Sequence, residues 1–196
     1  AHWGVAMSRA YRISVKESET RHLKAGDEIG TTLELLDILP PEDMATLLRQ
    51  ELKNRGFEEQ PDGTLTRKDG TTTVVVDPCS GAVTVKAETA ATVEHEAKRD
   101  ATGFNDVGPN ENSLRDKVRD QLKQDLDKRF EKEQSNLQKK ATDELEKKLQ
   151  ELQPEISEIV NKVTRDALKE KAQQLGTVKE ISEDPESGSL TIKIEV

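Results

Sequence analysis

The sequence is poor in aromatic residues and contains no long apolar run. Only 3% of its 196 residues are Phe, Trp or Tyr, and 32% are hydrophobic. Such a chain builds small aliphatic cores, because little apolar surface is available to offset the conformational entropy lost on folding. Apolar stretches such as 73–76 are far shorter than the roughly 20 residues of a membrane-spanning helix. We therefore expect a soluble protein with a thin core.

Cysteine is almost absent as well. Cys79 is the single cysteine, which excludes an internal disulfide and leaves too few thiolates for a structural zinc site. A chain without disulfides suits a reducing compartment, and we expect a cytoplasmic location. The hexapeptide AHWGVA before Met7 lacks the regions of a signal peptide and is typical of residues added in cloning. We leave residues 1–6 out of the fold prediction.

Charged residues, in contrast, are abundant. They make up 35% of the chain, with 39 acidic against 30 basic residues and a net charge of -9. This balance disfavours nucleic acid as a partner, because binding requires an excess of cationic side chains to neutralise phosphates. Neither a membrane surface nor a small-molecule substrate is indicated. Much of the chain is expected to form solvated helix surface.

Residues 7–88 predict an α+β domain built on a small antiparallel sheet. In YRISVK, near the start of this segment, apolar and polar residues alternate as they do in a half-buried strand. Three more strands are predicted from β-branched residues separated by short turns, at 64–67, 71–77 and 82–89. In the last of these, alternation predicts one buried and one solvated face.

One helix is expected to pack on this sheet. Pro41 is tolerated in a first helical turn, where the acids that follow it complement the positive end of the helix dipole. Gly56 supplies the left-handed residue that ends many helices. The apolar residues between them share one face: Met44, Leu47, Leu48 and Leu52. We predict that this face covers the sheet.

A turn followed by a strand occurs twice in the sequence. DPCSGAVTVK at 77–86 returns as DPESGSLTIK at 184–193. In each copy Asp caps the turn, Pro presets its φ, and Gly takes a positive φ before the strand. Either the copies arose by duplication and share one sheet, or a favourable turn recurs by chance. On the first interpretation the C-terminal β-hairpin, residues 176–196, joins the sheet of residues 7–88.

Residues 113–175 predict a long helical arm inserted before this hairpin. Ser113 followed by Asp116 resembles a capping box at its start. Pro154 lies within the apolar pattern of the arm, and a proline costs roughly 3 kcal/mol in a helix interior. We favour an arm that is kinked or reversed near Pro154 over an unbroken helix. Residues 89–112 lack clear periodicity and are interpreted as a linker or long loop.

The first half of the arm carries the candidate partner-binding residues, which are spaced by four: Leu114, Val118, Leu122, Leu126 and Phe130. If the second half folds back, it covers only the distal part of the first half. This apolar stripe then remains for a protein partner, including a second copy of the chain. The alternative is that the β domain of the same chain covers it.

No chemical site is predicted. The glycine-containing segment 26–32 lacks the lysine of a P-loop. His2, His22 and His95 are scattered along the chain, and no serine has a nearby histidine pattern. His95 lies between two glutamates, but a solvated histidine explains it more simply than a metal ligand does. We expect no enzymatic activity, no cofactor and no metal.

Three segments resemble a known group of proteins. RAYRISVKE, the helix that ends in ELKNRGFEEQPDG, and the repeated DPxSGxxTxK hairpin are similar to small accessory proteins of FtsH-type AAA ternary systems. In such systems a small protein accompanies an AAA ATPase and a von Willebrand type domain. The resemblance implies a partner or substrate adaptor of an ATPase. It transfers no functional residues, since no motif is specific enough.

Two classes of non-enzymatic function are therefore predicted. A third, enzymatic function would require a cofactor that the sequence does not indicate. The first is a non-enzymatic adaptor or scaffold whose helical arm binds protein partners. The second is a holdase-like chaperone of prefoldin-like design, in which helical arms hold unfolded clients. A single stoichiometric partner would favour the adaptor, whereas suppression of the aggregation of a client protein would favour the chaperone.

Overall fold

The structure is a computed structural model that describes residues 9–104, 106–185 and 187–195. Residues 1–6, interpreted above as a cloning addition, lie outside the described residues. The protein is α+β, as predicted. Its elements in chain order are β1 (Ala10–Thr32), α1 (Pro41–Asn54), β2 (Glu58–Glu59), β3 (Leu65–Asp69), β4 (Thr72–Val76), β5 (Ala82–Phe104), α2 (Glu111–Leu175), β6 (Thr177–Glu183) and β7 (Leu190–Glu195).

The described strands form two separate sheets. Five of them make one antiparallel sheet in the order β1-β5-β4-β3-β2, while β6 and β7 make a two-stranded sheet of their own. The prediction that the C-terminal hairpin, residues 176–196, joins the first sheet is therefore wrong. The strands of the first copy, β4 and β5, are already paired on both sides, because β5 lies between β1 and β4, and β4 lies between β5 and β3. No edge beside the first copy of the repeat is left for a further strand.

Both copies of the repeated turn nevertheless adopt the same geometry. Gly81 N–H donates to the Asp77 carbonyl at 2.8 Å, and a serine hydroxyl donates to the Asp77 carboxylate at 2.6 Å. In the second copy, Gly188 N–H donates to the Asp184 carbonyl at 2.8 Å, and a serine hydroxyl again donates to the carboxylate at 2.6 Å. The glycines have φ values of 72° and 67°, which explains why glycine stands at this position twice.

The strands β1 and β5 are much longer than predicted, at 23 residues each. The prediction of a linker at 89–112 is wrong for residues 89–104, because they continue β5 beside β1. Alternation is present there, but the inward positions hold small or polar residues such as Ala91 and His95. Side chains of this kind give a weak apolar signal.

The chain divides into two compact units. The first, called the ribbon unit, contains the described residues up to Ala25 together with Thr89–Lys140. The second, called the sheet unit, contains Gly26–Glu88 and the described residues from Ala141 onward. Each unit has its own cluster of buried apolar residues, and no residue belongs to both clusters.

In the sheet unit, one face of the sheet is covered by helices. Strands β3, β4 and β5, helix α1 and the second half of α2 contribute to a single cluster: Leu33, Leu39, Met44, Leu48, Leu52, Phe57, Leu65, Val74, Val76, Val83, Val85, Ala87, Leu145, Leu152, Ile159, Val163 and Ala167. On the opposite face Thr84 is half-buried and Lys86 is exposed. The predicted division of β5 into a buried and a solvated face is confirmed.

Helix α1 begins and ends as predicted. Pro41 is its first residue, and two acidic residues follow in the first turn. Gly56 has a φ of 83°, and Phe57 N–H donates to the Leu52 carbonyl at 3.1 Å, which closes the last turn. Phe57 is buried in the cluster of the sheet unit.

Helix α2 begins two residues earlier than predicted. Its first residue is Glu111, and the Asn110 side chain accepts a hydrogen bond from Ser113 N–H at 2.8 Å. Leu114 N–H donates to the Asn110 carbonyl at 3.0 Å. Asn110 is therefore the N-cap residue, and Ser113 lies within the first turn.

Helix α2 also continues through Pro154, so of the kink or reversal predicted there, the reversal does not occur. Leu152 and Ile159, on either side of the proline, are each only 3% exposed. Their burial favours a continuous helix and offsets the cost of the proline. Pro154 itself is exposed, so water can hydrogen-bond the carbonyl of Gln150, which has no N–H partner in the helix.

In the ribbon unit, β1 and β5 form a two-stranded ribbon, and the first half of α2 covers one of its faces. Alternate residues of both strands point toward the helix, and the intervening residues are exposed and polar. The buried cluster consists of Ile13, Val15, Ala97, Val118, Leu122, Leu126 and Phe130. This single layer of helix on ribbon explains how a chain with few aromatic residues folds.

Candidate functional site

The stripe predicted to bind partners is a core surface. Val118, Leu122, Leu126 and Phe130 are at most 3% exposed, and Leu114 is half-buried. They pack against the residues of β1 and β5 in the ribbon unit. Of the two alternatives given above, the structure therefore favours coverage by the same chain. The sequence-based assignment went wrong because the covering segment, residues 89–104, was interpreted as a loop.

Ionic contacts hold α2 on the ribbon. The Arg21 guanidinium donates to Glu19 and to Asp127, and it lies over the Phe130 ring at 4.4 Å from the centroid. Hydrogen bonds to these carboxylates raise the pKa of Arg21 above its ordinary value. Arg99 donates to Asp125 of α2 at 3.0 Å. Both contacts to Asp127 and Asp125 join the ribbon to α2.

His95 packs against this core, so the prediction of a solvated histidine is wrong. Its ring meets Phe130 edge-on with 4.9 Å between centroids, and its Nε2 is buried without a hydrogen-bond partner among the described residues. In the described ranges, no group of three or more His, Cys, Asp or Glu side chains could hold a metal ion. Cys79 is exposed in the first repeated turn.

The sheet unit contains an open groove of about 680 Å³. Its walls are the C-terminal part of β1 with the residues that follow it, and the middle of the second half of α2. The lining residues are Ile29, Gly30, Thr31, Thr32, Glu34, Leu149, Gln153, Ile156, Ser157, Val160 and Asn161. We call this feature the β1–α2 groove.

The β1–α2 groove has an apolar and a polar part. Leu149, Ile156 and Val160 are half-buried and pack against the core of the sheet unit, while Ile29 is 42% exposed. The remaining side chains are small hydroxyls and amides, and Glu34 is the one charged residue of the lining. An apolar centre with a polar surround is typical of sites that bind another molecule.

One wall of the groove is a sheet edge. Within the described residues, β1 has β5 on one side and no strand on the other. The outward N–H and C=O groups of an edge strand are ready to pair with another extended chain. At residues 29–32 this edge lies beside the apolar side chains of α2. The groove therefore offers backbone hydrogen bonds and apolar contacts side by side.

A half-buried ion pair fixes the other wall. Arg67 of β3 donates to both carboxylate oxygens of Glu155 at 2.7 and 2.8 Å, and its guanidinium lies over the Phe57 ring. The hydrogen bond from Arg67 lowers the pKa of Glu155 and the same contact raises the pKa of Arg67. Because Glu155 precedes Ile156, this pair holds the groove side of α2 in place.

A second ion pair lies nearby. Lys148 Nζ is 2.7 Å from Asp69 Oδ2, and the hydrogen bond from Lys148 lowers the pKa of the Asp69 carboxyl. Both contacts join β3 to α2 within the sheet unit. The two ion pairs position the helix, and neither Lys148 nor Asp69 lines the groove.

Sequence reasoning missed the groove entirely. Ile29 is an isolated apolar residue in the polar stretch between Gly26 and Thr32, and that isolation was the available signal. The pairing of β1 with β5 along its length was not visible in the apolar pattern, so nothing indicated that Ile29 lies on a strand beside α2.

The described part of the chain contains no helix that is both long enough and apolar enough to cross a bilayer. Its longest helix, α2, carries charged residues in every turn over most of its length.

Fold and groove together define a helix-covered α+β protein with an exposed strand edge. The sequence model of the family described as FtsH ternary system domain X5 matches residues 7–196, and the chain belongs to that family. This match confirms the resemblance to accessory proteins of FtsH-type ternary systems. No curated protein and no solved structure matches the chain. The family name indicates an accessory role beside FtsH, and thereby protein partners.

Proposed function

We propose that the protein is a non-enzymatic adaptor of an FtsH-type ATPase system, and that it binds an extended segment of a protein partner in the β1–α2 groove. The observation that carries the proposal is the outer edge of β1, which no other described strand pairs, beside Leu149, Ile156 and Val160. This replaces the partner-binding role predicted for the stripe of Leu114 to Phe130, which is covered within the ribbon unit.

An extended segment is the ligand that suits this edge. A peptide added to β1 gains backbone hydrogen bonds, and every second side chain then points to the same face of the sheet. On the helix side, those alternate side chains meet the apolar residues of α2. Strand addition thus uses both walls of the groove at once.

Charge selects among such segments. Glu34 is the one charged side chain of the lining, and the chain as a whole carries a net charge of -9. A basic residue in the bound segment is therefore favoured, both by contact with Glu34 and by attraction during encounter. The partner segment combines alternating apolar residues with a lysine or arginine at one end.

The chemistry of the lining supports binding over catalysis. Its polar side chains are Thr31, Thr32, Gln153, Ser157 and Asn161, with Glu34 as the single titratable group. Acid–base or nucleophilic catalysis needs a group of suitable pKa within hydrogen-bond reach of a second one. An adaptor needs neither.

The test uses synthetic peptides that tile the sequence of an FtsH-type AAA ATPase from the source organism. Fluorescence anisotropy is measured for each labelled peptide with the full chain. We expect saturable one-to-one binding of a peptide with alternating apolar residues, and at least a tenfold loss of affinity in Ile29→Glu. A tenfold loss corresponds to about 1.4 kcal/mol.

Val107→Glu is the matched control, because Val107 is an apolar residue of the ribbon unit that is 78% exposed. It introduces the same charge on a surface outside the groove. Equal affinity of Ile29→Glu and wild type, with both proteins folded by circular dichroism, would overturn the proposal. The holdase alternative predicts instead that aggregation of unrelated clients is suppressed and that no single peptide is preferred.

A further inference from the structure

The C-terminal hairpin is an isolated pair of strands. Among the described residues, β6 and β7 pair only with each other. Its sequence counterpart, the hairpin of β4 and β5, has β3 and β1 along its outer edges. An isolated hairpin is marginally stable in water, and a third or fourth strand is the usual remedy. The two free edges of the hairpin are therefore candidate binding surfaces.

The two edges are not equivalent. Along β6 the pairing register shifts between Val178 and Glu180, so that Lys179 is an extra residue. Bulges and charges on an edge strand are devices that block pairing with other chains. In β7 the paired residues from Leu190 to Glu195 follow without interruption. The edge of β7 is the one open to a further strand.

Side chains of the hairpin also expose apolar surface. Val178 pairs with Ile194, and Ile181 pairs with Ile192. Ile181 is 43% exposed, and Leu190, Ile192 and Ile194 are only half-buried. Within the hairpin alone, the apolar face therefore remains partly exposed to solvent.

The opposite face carries a pattern of charges. Lys193 contacts Glu180 across the hairpin, and Lys179 Nζ is 2.8 Å from Glu195 Oε1. Residues 193 and 195 are neighbours on this face of β7, because side chains alternate along a strand. The β7 edge therefore displays one positive and one negative charge in sequence.

We propose that the β7 edge pairs antiparallel with the β7 edge of a second copy of this chain, with Ile194 at the twofold axis. In this register Lys193 lies opposite Glu195 of the second copy, and the reverse pair forms by symmetry. Side chains that neighbour each other across the four strands then alternate in charge. The order is Glu180 and Lys193 of one copy, followed by Glu195 and Lys179 of the other copy.

Neighbouring registers lack this complementarity. Centring the pair on Lys193 places two like charges directly opposite each other, which is destabilising. Centring it on Ile192 places Lys193 opposite Thr191 and forms no ion pair. A register shifted by one residue from any of these would place the apolar face of one copy on the same side of the sheet as the polar face of the other copy. Charge thus favours one arrangement, and it is self-complementary as a twofold interface requires.

The test separates the proposed contact from the hairpin itself. Glu180→Lys with Lys193→Glu preserves the ion pair inside the hairpin but places a carboxylate opposite Glu195 of the second copy. Adding Lys179→Glu and Glu195→Lys reverses all four charges and restores every pair. Sedimentation equilibrium of the full chain is measured over a range of concentrations for each protein.

We expect the wild type to form a concentration-dependent dimer, since the interface is short. The double variant should dissociate at least tenfold more readily, and the fourfold variant should dimerise again. Wild type and the fourfold variant should not form mixed dimers, because Lys193 of one would face a lysine in the other. This inference does not depend on the β1–α2 groove.

A wild-type chain of monomer mass up to roughly millimolar concentration would overturn the proposal. Equal dimerisation of wild type and double variant would also overturn it, since it would place the interface elsewhere. Circular dichroism of each variant verifies that the fold is retained. A wild-type chain that is monomeric alone but pairs through β7 with a strand of another protein would likewise exclude the second copy as the occupant.

Discussion

At the scale of single residues, Arg67 links the sheet to the helix that forms the groove. Its side chain is 18% exposed and makes a bidentate contact with Glu155. A fork of two parallel hydrogen bonds is stronger and more directional than a single one. Removing the arginine leaves a half-buried carboxylate beside Ile156.

Arg67→Met tests this contact, because methionine keeps the contact with Phe57 and removes the charge. We expect the free energy of unfolding at neutral pH to fall by about 1–3 kcal/mol. Since the folded-state pKa of Glu155 is lowered, the stabilisation is complete above the unfolded pKa and is lost as pH falls through the folded value. Urea titrations from pH 7 down to about pH 3 should therefore show the difference shrinking in acid.

Lys68→Met is the control for this series, because Lys68 is the exposed neighbour of Arg67 in β3. It removes the same charge without touching Glu155. If the two variants were equally stable at pH 7, the ion pair would not hold α2 in place.

At the scale of elements, the uninterrupted helix α2 is the feature that sequence reasoning judged least well. Proline lacks the N–H that the helix needs at position 154, and the ring crowds the preceding turn. Residues on both sides of Pro154 are nevertheless buried in the sheet unit. Tertiary packing therefore overrides the local preference of this residue.

Pro154→Ala should stabilise the protein, because alanine restores the missing backbone hydrogen bond and is the best helix former. We expect the free energy of unfolding to rise by up to about 3 kcal/mol, measured by urea denaturation and by the melting temperature. Pro41→Ala is the matched control. Pro41 is the first residue of α1 and needs no intrahelical partner, so no comparable gain is expected there. A fall in stability for Pro154→Ala would mean that the proline is required for the packing of α2.

The same contrast explains how much of the fold was predictable. Helix α1 and strands β3 and β4 follow from local signals, namely Pro41, Gly56 and short runs of β-branched residues. The far half of β5 does not, because Ala91, His95 and similar residues become strand only through pairing with β1. Once that half was interpreted as a loop, Leu122 and Phe130 were left without a covering surface. The site prediction failed for this reason.

At the scale of the whole molecule, two apolar clusters with no common residue support the fold. Phe130 is central to the cluster of the ribbon unit, at 2% exposure. The helix α1 belongs to the other cluster, through residues such as Leu48. Local stability is therefore expected to differ between the two units.

Phe130→Ala tests this expectation by hydrogen–deuterium exchange. Truncating a buried phenylalanine costs about 3–5 kcal/mol, and the loss should appear as faster exchange of amides within Thr89–Lys140. Amides of α1 should keep their protection. Leu36→Ala serves as the control, because Leu36 is 63% exposed. Equal loss of protection in α1 would show that the clusters unfold as one.

Both units are assembled from two distant stretches of chain, and the crossing points fall inside β1, β5 and α2. Cutting the polypeptide at a single place therefore never releases an intact half. A fragment that ends at Glu88 would strip Ile13 and Val15 of both the neighbouring strand and the covering helix. Truncation experiments that treat the two units as consecutive segments of the chain would yield insoluble fragments. The cause would be that each unit needs residues from both sides of the cut.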